Sequence, residues 1–355
     1  MSDKIVVGHE DLKRFIRDVL VAKGARERDA AAVAEGLVWA NLRGGDGHGV
    51  SRLSIYLDLI GRGDIDPRAE PKLVHERAAT FIVDGSHGFG AVAGLYAASL
   101  AVERAKTFGV CYGVLRHTTH TGAIGRYAKW IAERGCTALL MGAGPALMAF
   151  HGARVASMAT SPIAVAVPSG KGPIVLDMAT SAIARGKILQ ARATGTPLPP
   201  NTVLNAAGEP TTDPNQAEIL LPLGGPKGSG LGFMFEMLAS VLAAAPIQTR
   251  ALGPEQRKRH TQNTAFLAVD VSAFRPLADF ENDADALGAV LKALPRLIGV
   301  DEIFLPGERS GRTEALRRKS GIPIPAKLWA ELEAIAKAER VKPPERLSAQ
   351  DNGRP

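Results

Sequence analysis

The chain has 355 residues, 46% of them hydrophobic and only 5% aromatic, and a formal net charge of +7. That length points to two packed substructures, and no apolar run approaches the ~20 residues of a membrane-spanning helix. The basic residues are scattered, the densest groups (Arg250–His260 and Arg309–Lys319) being interrupted by other types, and no aromatic stacking platform accompanies them. Nucleic acid is therefore excluded as a partner, and the positive field suits phosphorylated cofactors or dicarboxylates. Cys111 and Cys136 have no motif spacing, and the polar start Met-Ser-Asp-Lys lacks a signal-peptide stretch, so a reduced, cytoplasmic protein is expected.

In residues 9–23, Leu12, Phe15, Ile16, Val19 and Leu20 follow helical spacing and predict an amphipathic helix. A second helix is expected from Glu27 to Leu42 and a third from Ser51 to Gly61. Between them lies Asp46-Gly47-His48-Gly49-Val50-Ser51-Arg52-Leu53. His48 has little bulk beside it, and Arg52 shares its side if a helix starts near Ser51. A group that transfers a proton near neutral pH then stands beside a planar, permanent cation, which suits a small substrate with a carboxylate next to a reducible carbonyl. The plainer alternative is a turn whose glycines are only conformational and whose histidine is solvated.

Thr80–Asp84 and Val110–Leu115 read as strands flanking a helix at Ala91–Thr107. Glycines 88, 90 and 94 are spaced one residue too widely for a dinucleotide-binding fingerprint, and Gly142-Ala143-Gly144 lacks the third glycine. Such glycines are expected to let a helix approach a sheet. His117-Thr118-Thr119-His120-Thr121-Gly122 precedes a helix at Ile124–Arg134, where backbone amides can hold a phosphate or carboxamide. Its His-x-x-His lacks a third ligand of suitable type, so no metal is expected. A core histidine with a capping threonine is the bland reading.

Ala138–Met141, Ile163–Val167 and Ile174–Leu176 have strand length. Asp177-Met178-Ala179 follows the last of them, and an aspartate there either accepts from a ribose or fixes a helix start. Gly224 to Gly230 contains Lys227 but fails the Walker spacing; it reads as a loop where backbone and one cation meet an anion. The helix Leu231–Ala245 has no polar face and is expected to be fully buried. Ala265–Val271 is a strand, Ala284–Ile298 and Ala326–Lys337 are helices, and a mobile tail starts at Arg340. Arg309 and Arg312, after Leu305-Pro306-Gly307-Glu308, are placed to face a cofactor phosphate.

In this order the runs resemble the malate/L-lactate dehydrogenase family that lacks a Rossmann fold, which also holds ureidoglycolate, sulfolactate and diketogulonate dehydrogenases and piperideine/pyrroline-2-carboxylate reductases. The matching pieces are D-x-H-G-V-S-R-L at 46–53, H-T-G-A-I-G-R-Y-A at 120–128, T-S-P-I-A at 160–164, L-D-M-A-T-S at 176–181, G-E-P-T-T-D-P at 208–214, P-L-G-G-P-K-G-S-G-L at 222–231 and L-P-G-E-R at 305–309. The resemblance covers roughly residues 10–335.

It implies an α/β (α+β) fold with a mostly antiparallel, non-Rossmann nucleotide-binding domain at 116–304. A helical substrate domain at 1–115 is completed by 305–340, and 341–355 form the mobile tail. It implies a homodimer using NADH or NADPH, with Arg309 and Arg312 tilting towards the 2′-phosphate of NADPH. His48 is then the acid/base, Arg52 holds the substrate carboxylate, and Thr160 lies by the substrate or nicotinamide. Cofactor contacts fall on His120, Thr121, Gly122, Ala123, Ile124, Asp177, Met178, Ala179, Lys227, Gly228, Pro306, Gly307, Glu308 and Arg309.

The chain departs from the family pattern around the pocket. Gly47 stands where most members have a hydroxyl residue, and Lys187 stands where ketimine reductases carry an acid, which argues against the cyclic-imine branch. Ser161, Leu198–Thr202 and Ser229 also differ, so the acid need not be malate or lactate. The expected reaction is hydride transfer between nicotinamide and C2 of a small 2-oxo/2-hydroxy acid. A ketimine or N-alkylimine reductase, and a binding protein that has lost turnover, are the alternatives.

Overall fold

The structure, a computed structural model, describes residues 4–245, 247 and 261–347; the basic group at 250–260 and residues 348–355 lie outside it. β1 (Lys4–Val7), α1 (His9–Ala22) and α2 (Glu27–Leu42) lead through two short 3₁₀ turns, Asp46–His48 and Val50–Arg52, into α3 (Leu53–Gly61). Next come β2 (Lys72–Arg77), β3 (Thr80–Asp84), α4 (Gly90–Phe108), β4 (Val110–Thr118), α5 (Gly125–Ala132) and β5 (Cys136–Ala143). β6 (Met148–Ala149), β7 (Ala156–Met158), β8 (Ile163–Val167), β9 (Ile174–Met178), α6 (Arg185–Thr194), β10 (Val203–Leu204) and β11 (Ile219–Leu220) follow. α7 (Pro226–Glu236) runs on through a π-turn at Met237–Val241. β12 (Gln262–Asp270), α8 (Leu277–Lys292), α9 (Glu308–Ser320), β13 (Ile322–Pro325) and α10 (Ala326–Glu339) complete the described chain.

Seven strands form the main sheet in the order β2-β3-β4-β12-β5-β8-β9. Every neighbouring pair is antiparallel except β3 with β4, which are parallel across α4. This is a mixed α/β fold, mostly antiparallel and without Rossmann topology. Alternation along β12 serves two cores. Phe266 joins the cluster under α4 and α5, whereas Ala265 joins Met141, Ala143, Phe235 and Ala239 on the α7 side. α4 lies close to the sheet because its inner face is alanine: Ala93, Ala97, Ala98, Ala101 and Ala105 are buried there. A small second sheet, β10-β11-β6-β7, closes over α6.

The helical layer is made from both ends of the chain. Leu12, Phe15, Ile16, Val19 and Leu20 of α1 share one core with α2, Val50, Leu53, Ile322, Ile324, Trp329 and Leu332. β1 pairs antiparallel with β13, register Lys4 to Pro325, and brings the C-terminal strand under α1.

Several expectations change. β2, β3 and β4 lie in the main sheet, so residue 115 does not divide helical layer from sheet. The helix after Gly230 is not fully buried: Leu231, Phe233, Met234, Met237, Val241 and Leu242 remain exposed. α8 starts at Leu277 after Pro276 and stops at Lys292, before Pro295, rather than spanning 284–298. α6 and α9 were not foreseen; α9 buries none of its side chains, so it carries no apolar stripe to read. Residues 341–347 do not hang free, since Arg14 donates to the carbonyls of Lys342 and Pro343, and Leu347 N donates to Val6 O. Among the described residues no helix is long and apolar enough to cross a membrane.

Phe266 is fully buried at the centre of the sheet, its ring 6.5 Å from that of Tyr127. Phe266→Ala should lower the free energy of unfolding by about 3–5 kcal/mol, measured by urea denaturation.

Candidate active site

α2 ends at Leu42, and the chain then turns through Gly44 and Gly45 into the first 3₁₀ turn, closed by His48 N on Gly45 O at 2.8 Å. The second turn is closed by Arg52 N on Gly49 O at 2.9 Å, and the Arg52 Nε donates back to Gly47 O at 2.7 Å. This leaves the two Nη groups of Arg52 as the outward end of its fork. Four residues on, buried Tyr56 places its hydroxyl 2.8 Å from His120 Nδ1. The His48 and His120 rings stack, centroids 5.5 Å apart and 10° from parallel.

The electrostatics of this corner are set by crowding. His48 keeps a solvent-accessible edge although protein atoms surround it. Desolvation in this concave wall, and then the Arg52 charge, pull its pKa down to about 4, an effect that water at the open edge screens. It is therefore a neutral imidazole at neutral pH. Burial lowers the Arg52 pKa too, with Arg185 adding repulsion. Burial pushes the Tyr56 phenol well above its ordinary range, so it stays protonated.

The loop after β4 is pinned from several sides. Gln262 Oε1 accepts from both Thr121 N (3.0 Å) and Thr121 Oγ1 (3.1 Å), and Tyr127 OH donates to Thr121 O at 2.6 Å. Thr119 Oγ1 donates to Gly88 O at 2.9 Å. Gly90 must be bare, because a Cβ there would sit 2.4 Å from the His120 carbonyl oxygen. The glycines before and within α4 thus allow close packing and form no phosphate loop. His117 turns away from His120, pairing through Nδ1 with Asp84 at 2.8 Å.

Asp177, at the end of β9, accepts from Gly125 N at 3.0 Å and so holds the start of α5. This is the helix-start role weighed above, and it employs one carboxylate oxygen. The residue is solvent-accessible. Desolvation there raises its pKa to about 6, against the pull of the Gly125 N–H and Arg43. Beyond it, Thr180 N and Oγ1 both donate to Thr160 O at 2.9 and 3.1 Å, and Leu223 N donates to Thr180 O at 2.8 Å. Gly228 N donates to Leu223 O at 2.8 Å, which seats the start of α7 on this ladder. Lys227 stands exposed there, in no ion pair among the described residues.

The Pro306–Arg309 loop reaches β9 from the C-terminal side. Gly307, at φ +80°, packs its α-carbon against the Val175 carbonyl. Glu308 is taken by Lys292 at 2.6 Å and by Leu305 N at 2.9 Å. Arg309 lies over the Phe304 ring at 4.5 Å, whereas Arg312 forms a two-pronged pair with Glu302.

His48 stacks on His120, which Tyr56 also meets; the 120–124 loop leads into α5, whose start Asp177 of β9 holds, and Gly307 packs on β9, with Thr160 and Gly228 on a separate backbone ladder. Arg309 stands at the edge. Sequence reasoning missed Tyr56, hidden by its apolar helical spacing; Gln262; and Arg185, whose neighbour Gly186 lies 3.6 Å from where a Gly47 Cβ would be. Two of the divergent pocket residues face inward: Ser229 Oγ accepts from His151 N at 2.7 Å and Ser161 Oγ donates to Ala159 O at 3.2 Å.

The model of the family described as malate/L-lactate dehydrogenase matches residues 7–333. The chain belongs to that family. It is 34% identical over 336 residues to the L-sulfolactate dehydrogenase of Methanocaldococcus jannaschii, covering 93% of this chain and 96% of that one. It is 31% identical to a Delta(1)-pyrroline-2-carboxylate reductase of Ancylobacter novellus, covering 94% and 98%. The crystal structure of malate dehydrogenase from Entamoeba histolytica superposes with a TM-score of 0.91 at 28% identity, covering 96% and 99%. The family spans hydroxy acid dehydrogenases and imine reductases that use nicotinamide cofactors, and the chain is an oxidoreductase of this kind.

The raised Asp177 pKa means the folded state binds a proton more tightly than the unfolded chain, so this group's stabilisation is present at low pH and lost as pH rises through about 6. Asp177→Asn keeps an acceptor for Gly125 N without the ionised charge. Its melting temperature should gain on the parent's between about pH 5 and about pH 7.5, by scanning calorimetry; a constant gap would mean an unperturbed carboxyl.

Proposed function

We propose that the protein transfers a hydride between NAD(P)(H) and C2 of a small 2-oxo/2-hydroxy acid. The observation that carries this reading is the Arg52 fork, anchored on Gly47 O, beside a neutral His48 whose ring stacks on His120. The donor set fits a dinucleotide: Asp177 has a carboxylate oxygen left for ribose hydroxyls, and Lys227 and Arg309 are cations without ion-pair partners among the described residues. Gly122 and Gly307, at φ +73° and +80°, let backbone approach a ligand closely. His120 to Ile124, Met178, Ala179, Gly228, Pro306 and Glu308 supply the rest of its surface. When bound, the nicotinamide supplies or accepts the hydride.

Arg52 holds the carboxylate through its two Nη groups and so orients the neighbouring carbon. Thr160 flanks that carbon. His48, neutral in the free enzyme, takes the hydroxyl proton in oxidation and returns it in reduction. A carboxylate on Arg52 cancels the repulsion that disfavours the imidazolium, so substrate itself readies His48 to hold the proton. Arg185 on the flank adds a second cation, which favours an acid with a second anionic group over lactate. Preference for NADPH rests on Arg309 alone, since Arg312 is committed to Glu302.

A second reading gives the proton to His120, favoured by the Tyr56 hydroxyl on its Nδ1. We also propose a cytoplasmic homodimer, whose contact covers the exposed apolar residues of α7 and its continuation; light scattering after gel filtration tests it.

Loss of reduced-nicotinamide absorbance, with NADH and NADPH separately, should follow addition of oxaloacetate more readily than pyruvate. Turnover only with pyruvate plus methylamine, or with piperideine-2-carboxylate, would move the protein to the imine reductases, and cofactor binding with no turnover to a binding role. His48→Ala should lower kcat about 10²–10⁴-fold with cofactor affinity retained; the same loss in His120→Ala alone would select the second reading. Arg52→Lys should chiefly raise the KM for the acid. In hydroxy acid oxidation the acid limb of kcat/KM should lie below the ordinary histidine value of about 6.5.

A further inference from the structure

The His48 imidazole donates to and accepts from no protein group among the described residues, so the backbone of its turn sets its direction. That turn is gripped by one side chain. Asn41, in the last turn of α2, is 2% exposed and sits among buried Val38, Ala40 and Leu42. Its Oδ1 accepts from Val50 N at 2.7 Å, and its Nδ2 donates to Asp46 Oδ1 at 2.7 Å. The amide can face only one way, because an N–H only donates and an ionised carboxylate only accepts. Gly49 lies directly over it, and a Cβ there would be 2.3 Å from the amide carbon. Behind Asp46 stands Arg317 of α9, with Nη1 and Nη2 at 2.7 and 3.2 Å from the two carboxylate oxygens and Nη1 also on the Asn41 carbonyl.

We propose that Asn41 is a positioning residue for the reaction: its amide clamps the chain on both sides of His48, at Asp46 and at Val50, and Arg317 braces the clamp from α9. The proposal rests on the assignment of His48 and Arg52 to the reacting site. It explains why this turn keeps its shape without the hydroxyl residue that precedes the histidine in the family pattern. It also explains a buried polar residue that belongs to no helix cap. Misplacement of a reacting group by about 1 Å can cost on the order of 10²-fold in rate.

The test uses the sign of a proton. In N41D the introduced carboxyl faces Asp46. At low pH one proton bridges the two carboxyls, and the turn holds; at higher pH both ionise and push apart. Relative to the parent at each pH, kcat/KM of N41D should be near parental at about pH 5 and lower by roughly 10²-fold at about pH 8. Exchanging the partners in N41D/D46N lets the introduced carboxylate accept from Val50 N and from the introduced amide, so activity and a parental pH profile should return. Cofactor affinity, measured by fluorescence, should stay parental throughout.

A merely structural role would give losses independent of pH. N41D that tracks the parent at every pH, or an exchanged pair no better than N41D, overturns the proposal. Should N41D fail to fold, the exchanged pair decides: cofactor binding without turnover overturns the clamp, and recovered turnover supports it. Full turnover in His48→Ala would instead overturn the site assignment, whereas an inactive His48→Ala beside a pH-insensitive N41D would overturn the clamp alone.

Discussion

One antiparallel pairing decides where the chemistry sits: Lys4–Val7 against Ile322–Pro325. It carries α9 and α10 back to the N-terminal helices and so puts Glu314 and Arg317 beside the end of α2. Arg43 then meets Glu314 at 3.1 Å, and Asp46 meets Arg317. The histidine turn of the helical layer thereby meets the segment that follows β4, His48 stacking on His120. Each half brings a different chemistry to that seam. The helical layer brings a cation and an imidazole; the sheet brings a carboxylate and loops built for close backbone approach.

Polarity inside the seam is tuned by what surrounds each group more than by charge count. His48 and Asp177 both touch solvent, yet each is ringed by protein atoms, and each shifts towards its neutral form. Both groups have already lost part of their hydration in the free protein. Arg52, half-enclosed and anchored to Gly47 O, cannot relax away from an incoming anion. Its orientation is fixed in the unliganded protein.

Much of this was legible in the residues. α1 follows from periodicity, because it buries one clear face, and β8 from an apolar run of strand length. The seven ordered motifs point to the family, and the 46–53 run points to the histidine turn. What stayed hidden has physical reasons. α9 shows no stripe because it is polar all round, and its role lies in ion pairs made across some 270 positions of sequence. β1 and β13 are four residues each and become strands only through one another. Tyr56 looks like a core residue until His120 is seen 2.8 Å from its hydroxyl. The apolar run of α7 predicts full burial, and a single chain leaves one side of it open.

The shared core of the two chain ends has a consequence for how the molecule is made. α1, α2 and α3 leave the ribosome first, yet their core lacks Ile322, Ile324, Trp329 and Leu332 until almost the whole chain has followed. The sheet, whose strands all lie between Lys72 and Asp270, is complete well before that. Newly made chains therefore pass through a stage with a finished sheet and an unsealed, sticky helical layer, which is where chaperones would find their grip.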